Sequence, residues 1–270
     1  MKVAIHSVFI LKENILFLEE WIDYHISIGF EKFYLYDNSK VSRLDGWDLR
    51  HKDRIKFGQV NKYQINYDKI VNMTDNEMKQ FIKKLCEKYK CIDIIEWSPK
   101  DDDGYILYNQ NEAHNHCLKR LKKDNIDWCA NIDMDEYIVL NKNNKNIRKF
   151  IKNRNANVSN IAMGQILYDS RFNNMGKSIV NINKIAIDQP ERTNSNKNLY
   201  RVEKTNALSV HGWEGNGKKQ APPLQKICFN HYKINVTGKY KQASNIANII
   251  KLNIERRFYN TYLEVKYNKY

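Results

Sequence analysis

Short apolar runs and helical stripes alternate along the first half of the chain, and this alternation constrains the fold more than any other feature. Residues 3–10 favour a buried strand, residues 15–28 carry apolar side chains at helical spacing with Gly29 just past their end, and residues 33–36 predict a second strand. Further helices and strands are predicted in alternation at residues 78–89, 91–97, 110–122 and 128–132. This order predicts an α/β fold with a parallel sheet, whose ligand site lies at the carboxyl ends of the strands.

Three carboxylates, the acid cluster of Asp133, Asp135 and Glu136, follow the last of these strands and precede another apolar run. Like charges this close together repel one another and resist burial, so such a group is normally stabilised by a divalent cation or a shared proton. An Asp-x-Asp sequence at the end of an interior strand is typical of a hard-metal site that faces a phosphate group. The alternative is a strand followed by a solvated acidic turn.

Composition limits the class of protein and its partners. The chain has 270 residues, 42% of them hydrophobic and only 4 of them proline, which indicates one large folded domain. Its net charge of +14 favours an anionic partner such as nucleotide phosphates, an acidic glycan, a lipid surface or nucleic acid. The five cysteines contain no CxxC pair and suit a reduced core. We see no signal peptide and no apolar run long enough to span a bilayer, and therefore expect a cytoplasmic protein.

Two groups of residues carry a resemblance to a known family. The first covers residues 12–39, which begin Lys-Glu-Asn and end Asp-Asn-Ser, and the second covers residues 110–137, which include the acid cluster. In order and spacing they resemble glycosyltransferase family 92 and the related family-2-like glycosyltransferases of GT-A fold. The chain departs from the family pattern at Lys12-Glu13-Asn14, where Lys-Asn-Glu is usual, and at residues 165–170, which lack the usual aromatic residue and glycine.

The resemblance implies a GT-A-type, Rossmann-like nucleotide-sugar-binding fold with a mixed, mostly parallel central sheet flanked by helices. It implies a metal-dependent, inverting glycosyltransferase that moves a hexose from a nucleotide sugar, taken to be a UDP-sugar, to a glycan or other hydroxyl acceptor. Mn²⁺ or Mg²⁺ is the implied cofactor, since a divalent cation stabilises the departing diphosphate. We expect one domain over residues 1–243, with a nucleotide-sugar-binding half at 1–140 and an acceptor-side half at 141–243.

The resemblance also assigns the metal ligands. Asp135 is the expected direct ligand, and Asp133 is expected to hold metal-bound water or the ribose. Glu136 is expected behind the ligands or against the acceptor. His231 lies where GT-A enzymes place a late third ligand, and His211 is the competing candidate. Either histidine also fits a structural role in the core or a loop.

The other expected site residues contact the nucleotide sugar or move a proton. The expected nucleotide-sugar contacts are Lys12, Asp37, Gln110, Asn115, Asp133, Lys197 and Arg201. Asp37 equally suits an ordinary Asp-Asn-Ser turn. An inverting reaction needs a general base, for which Glu214 and Asp169 are the candidates, although either also suits a solvated loop.

Three further histidines are interpreted from their positions. We expect His25 to be structural, packed behind the opening helix. His114 and His116 lie two residues apart on a predicted helix, so they point to different faces and do not form a paired metal site.

The carboxyl-terminal residues 244–270 predict a basic amphipathic helix. This helix either packs on the domain or binds an anionic lipid or glycan peripherally. We expect no nucleic-acid partner, and the oligomeric state is left open. Two rival functions remain: a degenerate transferase that binds nucleotide sugars without turnover, and a metal-dependent phosphohydrolase or nuclease.

Overall fold

The computed structural model describes residues 1–15, 17–41, 73–141, 145–168, 186–187, 196–232 and 249–250. Four parallel strands form one half of its central sheet: Val3–Phe9 (β1), Lys32–Asp37 (β2), Ile92–Glu96 (β3) and Trp128–Asn131 (β4). They lie in the order β3–β2–β1–β4. The helices between them in the chain are Leu11–Asn14 (α1), Leu18–Ser27 (α2), Asp75–Lys88 (α3) and Gln110–Lys123 (α4). This order of strands and helices confirms the predicted α/β class.

The second half of the chain extends the same sheet with mixed strand directions. Its first elements are Glu136–Leu140 (β5), helix Ile147–Lys152 (α5), Val158–Tyr168 (β6), Ala186–Ile187 (β7) and Lys197–Arg201 (β8). Later strands are Thr205–Leu208 (β9), Trp213–Gly215 (β10), Lys218–Gln220 (β11), Ile227–His231 (β12) and Ile249–Ile250 (β13), of which β9 and β10 form a separate two-stranded sheet. Strand β8 runs antiparallel to both β4 and β6, so the two halves of the chain share one sheet.

Two hydrophobic clusters cover opposite faces of the parallel strands. Alternate residues of β1 divide between them, since Val3 and Ile5 lie in one cluster whereas Ala4 and Val8 lie in the other with α4. A strand whose two faces are both buried favours an apolar residue at most positions, which explains the mostly apolar run at residues 3–10, interrupted by His6 and Ser7. The α2 helix packs in the first cluster through Trp21 and neighbouring apolar residues.

The ends of the helices follow local rules that the sequence carries. Thr74 caps α3 in a capping box with Glu77, each side chain bonding the other residue's backbone N–H. Gly29 follows the end of α2 with a φ of +102°, a conformation in which a Cβ is unfavourable. A Cβ at Gly29 would also lie 2.4 Å from the Asn146 side chain. The predicted glycine stop is therefore confirmed and has a packing reason as well.

The opening helix, the cysteines and the absence of a membrane span were predicted from the sequence and can be compared with these elements. The helix predicted at residues 15–28 corresponds to α2, and the short helix α1 before it was not predicted. The five cysteines are free, and Cys117, Cys129 and Cys228 are buried as predicted. None of the helices in the described ranges has the length and hydrophobicity to cross a membrane.

At Ile249 and Ile250, the two described residues of the predicted carboxyl-terminal helix, the structure has a strand instead. Ile249–Ile250 forms strand β13, which pairs antiparallel with β7. A short pair of β-branched residues adds readily to an available sheet edge, and this tertiary pairing outweighs the helical spacing. The rest of residues 244–270 lies outside the described residues, and the division of the chain at residue 243 stays a prediction.

Candidate functional site

The acid cluster lies at the carboxyl edge, which we define as the edge where β1, β2 and β4 end. β4 ends at Asn131, and β5 begins at Glu136, so the link between these strands carries the cluster. Strand β8 runs the other way and begins beside the end of β4, which brings Lys197 to the same edge. Strand β12 pairs antiparallel with β5 and places His231 opposite Glu136. Four strand ends thus bring residues from distant parts of the chain together.

Lys197 is buried against two of the three carboxylates. Its side chain is 3% exposed, and its Nζ lies 2.8 Å from Asp133 Oδ2 and 3.4 Å from Glu136 Oε2. Burial disfavours the charged ammonium, but the carboxylates outweigh burial and raise the pKa of Lys197. Burial likewise disfavours the ionised Asp133, but Lys197 outweighs it and holds the pKa of that carboxyl well below its usual range. Lys197 and Asp133 are therefore both charged at neutral pH.

Glu136 is the most enclosed member of the acid cluster. Its side chain is 2% exposed, and Oε2 accepts a hydrogen bond of 2.9 Å from the backbone N–H of Asp133. The Trp21 indole N–H donates to the backbone carbonyl of Glu136 at 2.9 Å and fixes the start of β5 on α2. Burial raises the pKa of Glu136 to about 7, although Lys197 acts in the opposite direction. Glu136 thus lies behind the other two carboxylates, in agreement with its expected supporting place.

Asp135 is paired with His231. Its Oδ2 lies 3.2 Å from His231 Nε2, while His231 Nδ1 lies 3.2 Å from Gln165 Oε1. The amide oxygen of Gln165 accepts a hydrogen bond from Nδ1–H. A neutral imidazole would therefore direct the Nε2 lone pair at the carboxylate. A proton or a metal cation between these atoms removes that repulsion. Burial lowers the pKa of His231, but Asp135 and its neighbours outweigh burial and raise it.

Three other predicted site residues also belong to the carboxyl edge. The Gln110 side-chain amide, at the start of α4, donates to Asp133 Oδ1 at 3.1 Å. Asp37 ends β2 and accepts hydrogen bonds from the Ser39 backbone N–H at 3.0 Å and from the Ser39 hydroxyl. Burial raises the pKa of Asp37. Lys12 lies in α1, directly after β1 ends. The structure therefore contains the Asp-Asn-Ser turn at the place expected for a nucleotide contact.

Two predicted nucleotide-sugar contacts are directed away from the acid cluster, and their role stays a prediction. The Asn115 side chain bonds the backbone N–H and carbonyl of Leu208 at 3.0 and 2.8 Å and holds β9 on α4. Arg201 pairs with Trp128 at the start of β4, the opposite end from the acid cluster. Its guanidinium lies 5.2 Å from the centre of the Trp128 ring. Lys197 and Arg201 lie at the two ends of one strand, so the structure separates these two basic residues.

The remaining candidates are not joined to the cluster by the described contacts. His211 is exposed, and its Nδ1–H donates to the backbone carbonyl of Asn196 at 3.3 Å. Glu214 lies exposed in β10, opposite Ala207 of the separate β9–β10 hairpin. Asp169 lies outside the described residues. The general base thus stays a prediction, with Glu214 and Asp169 as its candidates.

A buried histidine pair adjoins the site and was missed by sequence reasoning. His6 Nδ1–H donates to the Tyr34 carbonyl at 3.1 Å, so His6 Nε2 accepts from His114 Nδ1–H at 2.9 Å. Burial lowers the pKa of both histidines and keeps them neutral. His114 lies one helical turn after Gln110, a spacing that places both on one face of α4 and was visible in the sequence. His116 points elsewhere and contacts the Tyr36 hydroxyl, so the predicted separation of His114 from His116 is confirmed.

The donor atoms suit a hard divalent cation only in part. Asp135 Oδ2 and His231 Nε2 are separated by 3.2 Å, close to the roughly 3 Å expected of adjacent ligands at about 2.1 Å from one ion. Asp133 instead faces Lys197. Within the described ranges, no three acidic, histidine or cysteine side chains are grouped to hold a metal ion together. Asp135 and His231 are therefore the residues that would hold such an ion, with the remaining positions left to water and phosphate oxygens.

Comparison with protein families decides the class. A model of glycosyltransferase family 92 matches residues 63–264. The chain belongs to glycosyltransferase family 92. The family 92 match includes the second of the two motif groups, residues 110–137, together with Lys197 and His231, whereas residues 12–39 precede it.

Solved structures and curated sequences were compared as well. Two crystal structures of S. aureus TarS residues 1–349, one of them in complex with UDP, are similar to this family 92 chain. They are 14% and 15% identical with TM-scores of 0.37 and 0.36, and each match covers 75% of this chain. The matched part spans about half, 47%, of each TarS chain. No curated protein sequence matches this chain.

Proposed function

We propose that this protein transfers a hexose from a nucleotide sugar, a UDP-hexose, to a hydroxyl group of a glycan or similar acceptor, with inversion and with Mn²⁺ or Mg²⁺. The observation that carries the proposal is the Asp135–His231 pair at the carboxyl edge of a family 92 chain. The edge where parallel strands end is where open α/β sheets bind ligands. A cation held by Asp135 and His231 supplies Lewis-acid stabilisation of the diphosphate that departs.

The chain's own side chains then have distinct tasks. Asp135 and His231 hold the cation, and Gln165 fixes the His231 ring by accepting from Nδ1–H. Asp37 contacts the ribose or base in this proposal, and Ser39 holds its partly buried carboxyl. The hydroxyl proton of the acceptor passes to a base, for which we retain Glu214 and Asp169. The basic charge of +14 supports an anionic glycan or peripheral contact with an anionic membrane from the cytoplasmic side.

A phosphohydrolase or nuclease is a weaker alternative. Two-metal chemistry needs ligands for two ions about 4 Å apart. In the part of the chain that the structure describes, no three ligand side chains are grouped to hold even one ion. Asp133 is also already paired with Lys197. A binding-only protein has the same site without turnover, and an assay of transfer separates it from the enzyme.

The first test of the proposal is ligand-induced stabilisation. We expect UDP with Mn²⁺ to raise the melting temperature by roughly 5–10 °C at a hundredfold excess over Kd, because a ligand that binds only the folded state stabilises it by mass action. UDP with a chelator should give a much smaller shift. Differential scanning fluorimetry measures both, with GDP and CDP as nucleotide controls. Equal shifts with Mn²⁺ and with chelator would contradict the metal, and a larger shift with GDP would contradict the uridine nucleotide.

The two late histidines are distinguished by a second test. We expect His231→Ala to weaken the Mn²⁺ dependence of UDP binding by about tenfold or more, since it removes a ligand and leaves Asp135 without its partner. His211→Ala is the matched control, because His211 is exposed and bonds only a backbone carbonyl among the described contacts. Titration calorimetry at several Mn²⁺ concentrations measures the dependence. A larger loss in His211→Ala would show that the other histidine is the ligand.

A further inference from the structure

Lys197 is a cation that the chain itself places inside the acid cluster. Its Nζ is 2.8 Å from Asp133 Oδ2 and 3.4 Å from Glu136 Oε2, and 3% of its side chain is exposed. A lysine that contacts a phosphate from solvent is long, mobile and accessible, whereas this ammonium is enclosed and already holds two carboxylates. Direct contact with the nucleotide sugar, which the sequence predicted for Lys197, would require the ammonium to leave both carboxylates.

The contacts divide the cluster into two parts. Asp133 and Glu136 share Lys197, and the amide of Gln110 takes the second oxygen of Asp133 at 3.1 Å. Asp135 instead pairs with His231 at 3.2 Å, and the other ring nitrogen of His231 lies farther, 3.8 Å, from Glu136 Oε1. Both oxygens of Asp133 thus already have donors, and a carboxylate in this state is a poor metal ligand, because a metal must first displace an ammonium or an amide.

We propose that Lys197 is a built-in counter-cation of the acid cluster: it offsets the negative charge that Asp133 and Glu136 share and leaves Asp135 with His231 as the pair that takes a divalent cation. Lys197 is therefore a positioning residue. It holds the link between β4 and β5 in place before any ligand arrives, and it limits the negative charge that the cation meets. Metal affinity in oxygen-ligand sites follows the number of ligand charges, so this limit keeps binding weak until phosphate oxygens complete the site.

The first half of the test uses stability without metal. In chelator, Lys197→Met should lower the melting temperature by roughly 5–15 °C, because it leaves the buried Glu136 and the partly exposed Asp133 beside each other without their cation. Lys32→Met is the matched control: Lys32 Nζ lies 2.7 Å from Asp93 Oδ1, but this pair is more exposed and far less costly to break. The double variant Lys197→Met with Asp133→Asn should recover much of the loss, since it removes one of the two unpaired charges.

The second half uses Mn²⁺ alone, and it rests on the proposed function only for the existence of a metal site. Lys197→Met should bind Mn²⁺ about tenfold more tightly than the wild type, because Asp133 becomes available and a nearby positive charge is lost. The double variant should lose this gain. Electron paramagnetic resonance of free Mn²⁺ measures the affinities without any turnover.

The outcomes separate the counter-cation role of Lys197 from the proposed function. If Lys197→Met and the double variant are destabilised equally, lost packing rather than charge explains the effect, and the proposal is overturned. Unchanged or weaker Mn²⁺ binding by Lys197→Met overturns the division of the cluster in the same way. If the wild type gives no shift with UDP and Mn²⁺ while the double variant still rescues Lys197→Met in chelator, the proposed function fails and the counter-cation stands.

Discussion

Asp135→Asn is expected to reduce sugar transfer and donor hydrolysis by roughly 10²–10³-fold or more, the largest effect of any single change in this chain. The amide has nearly the same shape as the carboxylate but carries no charge, so it no longer attracts the cation that stabilises the diphosphate. The fold should persist, because the bond that Asp135 makes to the Tyr232 backbone N–H uses the Asp135 carbonyl. Transfer is measured with UDP-hexoses and purified glycan acceptors, and donor hydrolysis by release of UDP.

The control for this variant is Asp102→Asn, which makes the same chemical change in an exposed loop. It should leave transfer and the melting temperature at wild-type values. Wild-type turnover in Asp135→Asn would refute the assignment of Asp135, whereas a melting temperature far below that of the wild type would mean that the carboxylate is needed for folding. A normal fold with a lost Mn²⁺ response is the expected combination.

Acid should destabilise the protein steeply below pH 6.5, because three buried histidines are held neutral. Burial lowers the pKa of His6 and His25 to about 3 and that of His114 well below its usual value. The unfolded chain binds protons at these residues near pH 6.5 and the folded chain does not, so stability is lost as pH falls through this range. For each pH unit below this range, each histidine lowers the free energy of unfolding by about 1.4 kcal/mol, and the three together lower it by ~4 kcal/mol.

Glu136 acts in the opposite direction. Because burial raises its pKa to about 7 from 4.5, the folded state keeps a proton that the unfolded state releases between these values. This proton stabilises the folded state as pH falls and cancels the loss of stability from about one histidine. The net loss is therefore ~2.7 kcal/mol per unit between pH 6 and 5, or roughly 5–10 °C in melting temperature. The raised pKa of His231 adds stability that is fully present below pH 6.5 and is lost as pH rises. Melting curves from pH 5 to 8 measure the profile.

A variant at His25 assigns this slope to a residue. His25 Nδ1–H donates to the Trp21 carbonyl at 2.8 Å, and Nε2 accepts from the Ile138 N–H at 3.3 Å. His25→Gln keeps a donor and an acceptor but does not titrate, so it should reduce the slope by about 1.4 kcal/mol per pH unit. A wild-type melting temperature that stays constant from pH 6.5 to 5 would contradict the buried neutral histidines.

Local patterns in the sequence predicted the elements that position the site. The helical spacing at residues 110–122 and the strand at residues 128–132 correspond to α4 and β4 within a few residues. Gly29 follows the end of α2 as expected, and His25 is buried on the inner side of that helix. These features depend on neighbours a few residues apart, so side-chain periodicity and capping rules are sufficient to find them.

The contacts inside the site were beyond such rules because their partners are distant in the chain. Asp135 meets His231 across 96 residues, and the pairing of β12 with β5 sets this contact. His6 meets His114 across 108 residues through the packing of α4 on β1. Sequence reasoning considered His231 but overlooked His6, since a lone histidine in an apolar run gives no signal of a partner.

By itself, the sequence determined the α/β class, the carboxyl edge as the place of the acid cluster, and membership of family 92, because hydrophobic periodicity and a compact motif are properties of short segments. Only the tertiary structure decided how the charges are shared. The direction and register of β8 placed Lys197 at Asp133 and Arg201 at the far end of the same strand. Basic residues four apart look equivalent in a sequence, but strand pairing buries one against carboxylates and leaves the other over a tryptophan ring.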